Sequence, residues 1–207
     1  MNKIPKAFLW VSLPLFILDQ ITKWWVVFRF KEPTEGFFAT SDEKIEVIGG
    51  VLWWWRIHNQ GVAFGIGNGT TWAPYVFLCV LVAALVMITI FWRKGAFANS
   101  LARFAAVLLV AGILGNLTDR LFQGFFLEQH AEKSFFTRLS KGYVVDFIDV
   151  KIPGYDKISP RSGGHWPTFN VADSCISVAA VCLFLSAFRP EDENQEKAGG
   201  VNGEEPQ

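Results

Sequence analysis

Charge is what this chain of 207 residues has least of: Asp, Glu, Lys and Arg make up 18% of it and cancel to a net charge of zero. That balance excludes the basic footprint of a nucleic-acid-binding protein. Cysteine is scarce as well. Cys79, Cys175 and Cys182 all fall in apolar runs, and the last two lie two helical turns apart, too far to bridge, so no disulfide framework is implied. The three histidines, His58, His130 and His165, lack ligand spacing and read as outer-loop residues, so neither a metal nor another cofactor is expected. Gly65-Ile-Gly67 has no strand–helix context for a dinucleotide, and Ser162-Gly-Gly-His165 reads as a turn.

Apolar residues are what the chain has in excess: 51% hydrophobic, with nine Trp and twenty Phe, gathered in blocks. Blocks of this kind mark an integral membrane protein. Trp72 to Trp92 is uncharged and bracketed by aromatics, long enough for the about 20 residues a spanning helix needs. Ala7 to Phe28 is apolar except for Asp19 and Lys23. Phe104 to Thr118 runs into Asp119 and Arg120, and Ser174 to Phe188 follows Asp173. About 15 residues reach only about 22 Å, so the polar residues flanking the last two must sit at or inside the membrane boundary. Acids at that depth face a protein interior.

The expected fold is therefore a mainly α bundle of four transmembrane helices, about 7–29, 72–92, 102–122 and 168–189, forming one membrane domain over 1–189. Lys3 and Lys6, then Arg93, Lys94 and Arg103, place both termini in the cytoplasm by the positive-inside rule. The first span reads as an uncleaved anchor. The connections 30–71 and 123–167 then form a small β-rich platform on the outer (periplasmic) side. Residues 44–57 read as a hairpin turning at Gly49-Gly50, with Trp53-Trp54-Trp55 at the membrane surface. Residues 190–207 are acidic and Gly-rich and are expected to form a disordered cytoplasmic tail.

Four constellations carry chemistry. In Tyr143-Val-Val-Asp-Phe-Ile-Asp-Val150, alternation puts Asp146 on a wholly apolar face and Asp149 on the other, beside Lys151. A carboxylate facing apolar surface has a partner or a task; a solvated loop is the bland alternative. Asp19 and Lys23, at i and i+4, read as a self-neutralising structural pair. Asn116 and Arg120 share a helix face with Gly112, where a small residue permits close approach, or simple helix glue. Asn170 and Asp173 open the last span; an N-cap explains Asn170 well and Asp173 less well.

Together and in this order, the motifs Asp19-Gln-Ile-Thr-Lys23, Asn59-Gln-Gly61-Val-Ala63-Phe64, Gly115-Asn116-Leu-Thr-Asp119-Arg120, Val145-Asp146-Phe147 and Phe169-Asn170-Val-Ala172-Asp173 resemble the lipoprotein signal peptidase (signal peptidase II) family. The resemblance covers most of the chain. It implies an aspartic endopeptidase of the bacterial inner membrane, with the catalytic pair on Asp146 and Asp173. It further implies Asn59, Gly112, Asn116, Arg120 and Asn170 as active-site or substrate supports, and Asp19 and Lys23 as a structural polar pair. The implied substrates are diacylglyceryl prolipoproteins, cut just before the lipidated cysteine, with membrane lipid as surroundings and a monomeric enzyme. Leu121–Gly142 and Asp149–Trp166 are longer than the family's usual connections. A small ion or proton transporter and a non-catalytic assembly factor are the competing readings.

Overall fold

The computed structural model describes residues 6–33, 40–61, 67, 70 and 72–190. Helix α1 begins with a π-helical turn, Phe8–Ser12, and continues as Leu13–Arg29. Strands β1 (Thr40–Ile48) and β2 (Leu52–Asn59) follow, then α2 (Ala73–Arg93) and α3 (Ser100–Phe122). A short helix α4 (Phe135–Leu139) precedes β3 (Val144–Val150), and α5 (Tyr155–Ile158) and α6 (Val171–Ser186) follow.

Among the described residues three helices, Phe8–Arg29, Ala73–Arg93 and Ser100–Phe125, are long and apolar enough to cross a membrane, and Val171–Ser186 is a shorter apolar helix. The chain is a membrane protein built from these helices and a small three-stranded sheet. α3 is the axle. Its small residues Ala105, Ala111 and Gly112 are buried, as are Ala172, Cys175 and Ala179 of α6. Small side chains let the two backbones approach closely. At Gly112 this is enforced, since a Cβ would sit 2.5 Å from the carbonyl oxygen of Ala172. At the far end, Asn99 caps α3 by accepting from Ala102 N–H and donates to the Ser186 carbonyl. Phe8 meets Trp92 edge-on there.

The sheet has order β1-β2-β3, both pairs antiparallel. The hairpin expected over 44–57 is present, and it extends to Thr40 and Asn59. β3 is bonded on both sides. β2 flanks one edge, and on the other Ile148 and Phe169 exchange backbone hydrogen bonds of 2.9 and 3.1 Å. That second pairing delivers the chain to Asn170 and the start of α6.

Two expectations are corrected here. His58 is a strand residue, buried and stacked on Tyr143 at 3.6 Å, because β2 runs on to Asn59. Asp149 is on the opposite side from Asp146, as alternation requires, but its partners are Lys44 (3.1 Å) and His165 (2.7 Å) rather than Lys151. Those two come from β1 and the 151–167 loop, elements that only the tertiary fold brings to β3. The 190–207 tail and Val62 to Phe64 of the second motif lie outside the described residues, apart from Pro190.

Candidate active site

Five elements converge at one end of the helices: β2 carries Asn59, β3 Asp146, α6 Asp173, α3 Asn116, Asp119 and Arg120, and α1 Asp19 and Lys23. Both expected carboxylates lie there, Asp146 buried and Asp173 half-buried. Asp146 accepts from Asn59 Nδ2 at 2.9 Å on one oxygen and from Asn170 Nδ2 at 2.8 Å on the other. Asp173 accepts from Asn116 Nδ2 at 2.8 Å and from the backbone N–H of Asn170 at 3.2 Å. Asn170 thus touches both acids.

The local sequence explains how. Asn170 caps α6 and accepts from the N–H of Asp173 at 2.8 Å, while Asp173 reaches back to the Asn170 N–H. This reciprocal box satisfies two free donors of the helix start. Asp173 therefore fits the cap after all, as its N3 member, and still has an oxygen for Asn116.

Behind the pair lies a second layer. Lys23, fully buried, contacts Asp19 at 2.9 Å, Asp119 at 3.0 Å and Asn116 Oδ1 at 2.9 Å. The expected two-member pair is thus a triad of charges; its third member, Asp119, is expected from the sequence only as part of the polar cluster that ends the third span, not as a partner of Lys23. Asp119 also accepts from Val145 N–H at 3.0 Å, gripping β3 one residue before Asp146. Asp19 accepts from Ala172 N–H at 2.8 Å, gripping the first turn of α6. Gln20 spans the same residues with 3.2 Å bonds to Asp19, Asp119 and the Gly115 carbonyl. Gln20 and Asp119 sit inside quoted motifs, which was the available signal.

Arg120 donates to the carbonyls of Gln60 (3.0 Å) and Gly61 and lies 5.2 Å from the Phe77 ring centre. It fastens the chain leaving β2 to α3. Of the sequence candidates, Asn59, Asn116, Asn170, Asp146 and Asp173 form one hydrogen-bonded cluster; Gly112 provides the α3–α6 approach and Arg120 borders it. Among the described residues no group of three or more His, Cys, Asp or Glu could hold a metal ion.

Burial pushes the Asp146 carboxyl well above the ordinary carboxylate range, and the neighbouring Asp173 pushes the same way; the amides of Asn59 and Asn170 pull against them. Beside the site, burial and the adjacent Arg56 guanidinium hold His58 well below the usual imidazole range.

Residues 11–189 match the family model described as signal peptidase (SPase) II. The chain belongs to the signal peptidase II family. It is 29% identical to a lipoprotein signal peptidase of Alteromonas mediterranea over 96% of this chain and 92% of that one. A lipoprotein signal peptidase of Halalkalibacterium halodurans is 32% identical over 87% and 91%. Two solved bacterial membrane enzymes share the fold: one with TM-score 0.64 and 27% identity over 91% of this chain and 98% of that one, another with 0.62 and 25% over 97% and 93%. The protein is an aspartic-type signal peptidase, and the transporter and assembly-factor readings fall away.

Proposed function

We propose that Asp146 and Asp173 are the catalytic pair of this peptidase, and that its substrates are prolipoproteins whose cysteine carries diacylglycerol, cut just before that cysteine. Removal of signal peptides from prolipoproteins follows from the family. The observation that carries the residue assignment is the shared asparagine: Asn170 bonds both carboxylates, so the two acids face one site.

Two acids in one buried site do not both ionise readily. Asp146, raised by burial and by its neighbour, keeps the proton. Asp173 is in the first turn of α6, where the helix's partial positive charge favours an anion. Asp173 then takes a proton from a water between the acids, and the oxygen of that water attacks the scissile carbonyl. Asp146 donates its proton to the carbonyl oxygen, giving a neutral gem-diol. Asp146 recovers a proton from the diol as Asp173 passes its own to the leaving amine, and the C–N bond breaks. Asn59, Asn116 and Asn170 hold the carboxylate oxygens throughout.

In this reading all four apolar helices span. α6 is about 24 Å long, so its first turn lies below the membrane surface, level with an acyl-anchored cysteine. Lys6 before α1, Arg93 and Lys94 at the end of α2 and Arg103 in the first turn of α3 lie at the end opposite the site, which supports a cytoplasmic location for both termini and a site at the outer leaflet. The carboxylate network is complete within one chain, which supports a monomer. The test is to compare signal-peptide release from a diacylglyceryl prolipoprotein with release from the same precursor unlipidated. Efficient release only from the lipidated form is expected; equal release from both refutes the lipid requirement.

A further inference from the structure

Leu121 to Gly142 leaves the end of α3 and returns to the start of β3 without adding a side chain to the carboxylate network. Its ends close on the protein: a Cβ at Gly142 would overlap the Arg120 carbonyl, and one at Gly124 the Arg138 carbonyl. Between them lie two short 3-10 turns, Gln123–Phe125 and Glu128–His130, and α4. Leu127 anchors the excursion inward, against a core that includes Val26, Phe30 and Tyr143.

The opposite side is aromatic and uncovered. Phe122, Phe126, Phe135 and Phe136 are between 55% and 71% exposed, far more apolar surface than a water-facing loop normally presents. The rings are held in place. Phe126 meets Trp24 of α1 edge-on at 4.8 Å, and Trp24 stacks on Phe28 at 5.5 Å. Phe125 packs on Phe135 at 5.2 Å, with the Arg138 guanidinium 4.9 Å from the Phe125 ring centre. At the other end Tyr75 of α2 donates to the Phe136 carbonyl at 3.0 Å.

This row is continuous with two membrane-facing surfaces. Along α1, Ile17, Ile21 and Phe28 form an exposed stripe that ends beside Phe126. Along α2, Val76 and Val80 are exposed just beyond Tyr75. The aromatic row joins the two across the end of α3. Glu128, Glu132 and Lys133 are exposed in the turn between Phe126 and Phe135, where charged groups can reach water or headgroups.

We propose that the Leu121–Gly142 excursion is a lipid-docking ledge, its phenylalanine rings seated at the headgroup–acyl boundary of the leaflet at the active-site end of the helices. Aromatic rings favour that depth. The ledge rejoins the chain at Gly142, packed on the Arg120 carbonyl and four residues before Asp146. Its depth therefore sets the depth of β3. This consequence rests on the catalytic reading of Asp146; the docking surface itself does not.

Nitroxide labels report the depth directly. Full-length protein with its three cysteines replaced, shown by thermal melting to be folded, is labelled singly at Phe136→Cys, Phe126→Cys or Glu132→Cys. It is then placed in phosphatidylethanolamine–phosphatidylglycerol vesicles. Labels at 136 and 126 are expected to relax with oxygen several-fold more than with a water-soluble nickel chelate, and the label at 132 the reverse. Nickel relaxation at 136 and 126 matching that at 132 overturns the proposal. So does shielding from both reagents with spin–spin broadening, which would assign the face to a second copy of the chain.

Discussion

Lys23 donates to Asn116 Oδ1 at 2.9 Å, and that bond decides which end of the Asn116 amide faces Asp173. An ammonium can only donate, so the amide oxygen must point to Lys23 and the NH2 to the carboxylate. The same logic fixes the other two asparagines. Asn59 Oδ1 accepts from the Gly61 N–H at 3.0 Å, and Asn170 Oδ1 from the Asp173 N–H at 2.8 Å, so both turn their NH2 groups to Asp146. Each of the three asparagines thus turns a donor to a carboxylate of the proposed pair, its orientation set from behind.

Replacing Lys23 removes that setting. Lys23→Met leaves Asp19 and Asp119 buried without their cation, a change that costs about 3–5 kcal/mol. A large fall in Tm and low yield from membranes are expected. A variant as stable as wild type would show that the charges are not held as described.

Asn59→Ala probes the proton on Asp146. The Asn59 bond favours ionised Asp146, so losing it raises the Asp146 pKa further. The alkaline limb of the kcat/KM profile, where Asp146 loses its proton, should therefore move to higher pH while the overall rate falls. Movement to lower pH would contradict the assignment of Asp146 as the acid.

Asp149→Asn separates the two acids of β3. Both oxygens of Asp149 are engaged, one by Lys44 and one by His165, and the carboxylate is buried. Loss of its charge should lower stability by about 1–3 kcal/mol, read as a lower Tm. Turnover per folded molecule should stay near wild type, because none of its contacts reaches the Asp146 cluster. Complete inactivity in folded protein would contradict this.

Gly112→Val tests the helix contact. The added carbons would meet the Ala172 carbonyl and Ile176 Cγ1, 2.5 and 2.7 Å from the Cβ position alone. Overpacking of this kind costs about 1–3 kcal/mol, and it acts one turn from Asp173. Activity should fall more steeply than thermal stability.

Much of this was legible in the sequence because it is periodic or local. The period of two separated Asp146 from Asp149, and the short fourth apolar run implied that Asp173 lies deep. The cap at Asn170 is a four-residue signal. Partners drawn from distant elements were not legible: Lys44 and His165 reach Asp149 only once the sheet and the loop after β3 are in place, and Asp119 reaches Lys23 only when α3 packs against α1. The end of β2 was also missed, since His58 reads as polar until its stacking on Tyr143 is known.

The central claim is that the two acids joined by Asn170 activate one water between them. Purified Asp146→Asn and Asp173→Asn variants, shown by thermal melting to be folded, should each release signal peptide from a diacylglyceryl prolipoprotein at least about 10²–10⁴-fold more slowly than wild type. Wild-type rates from either folded variant would contradict it.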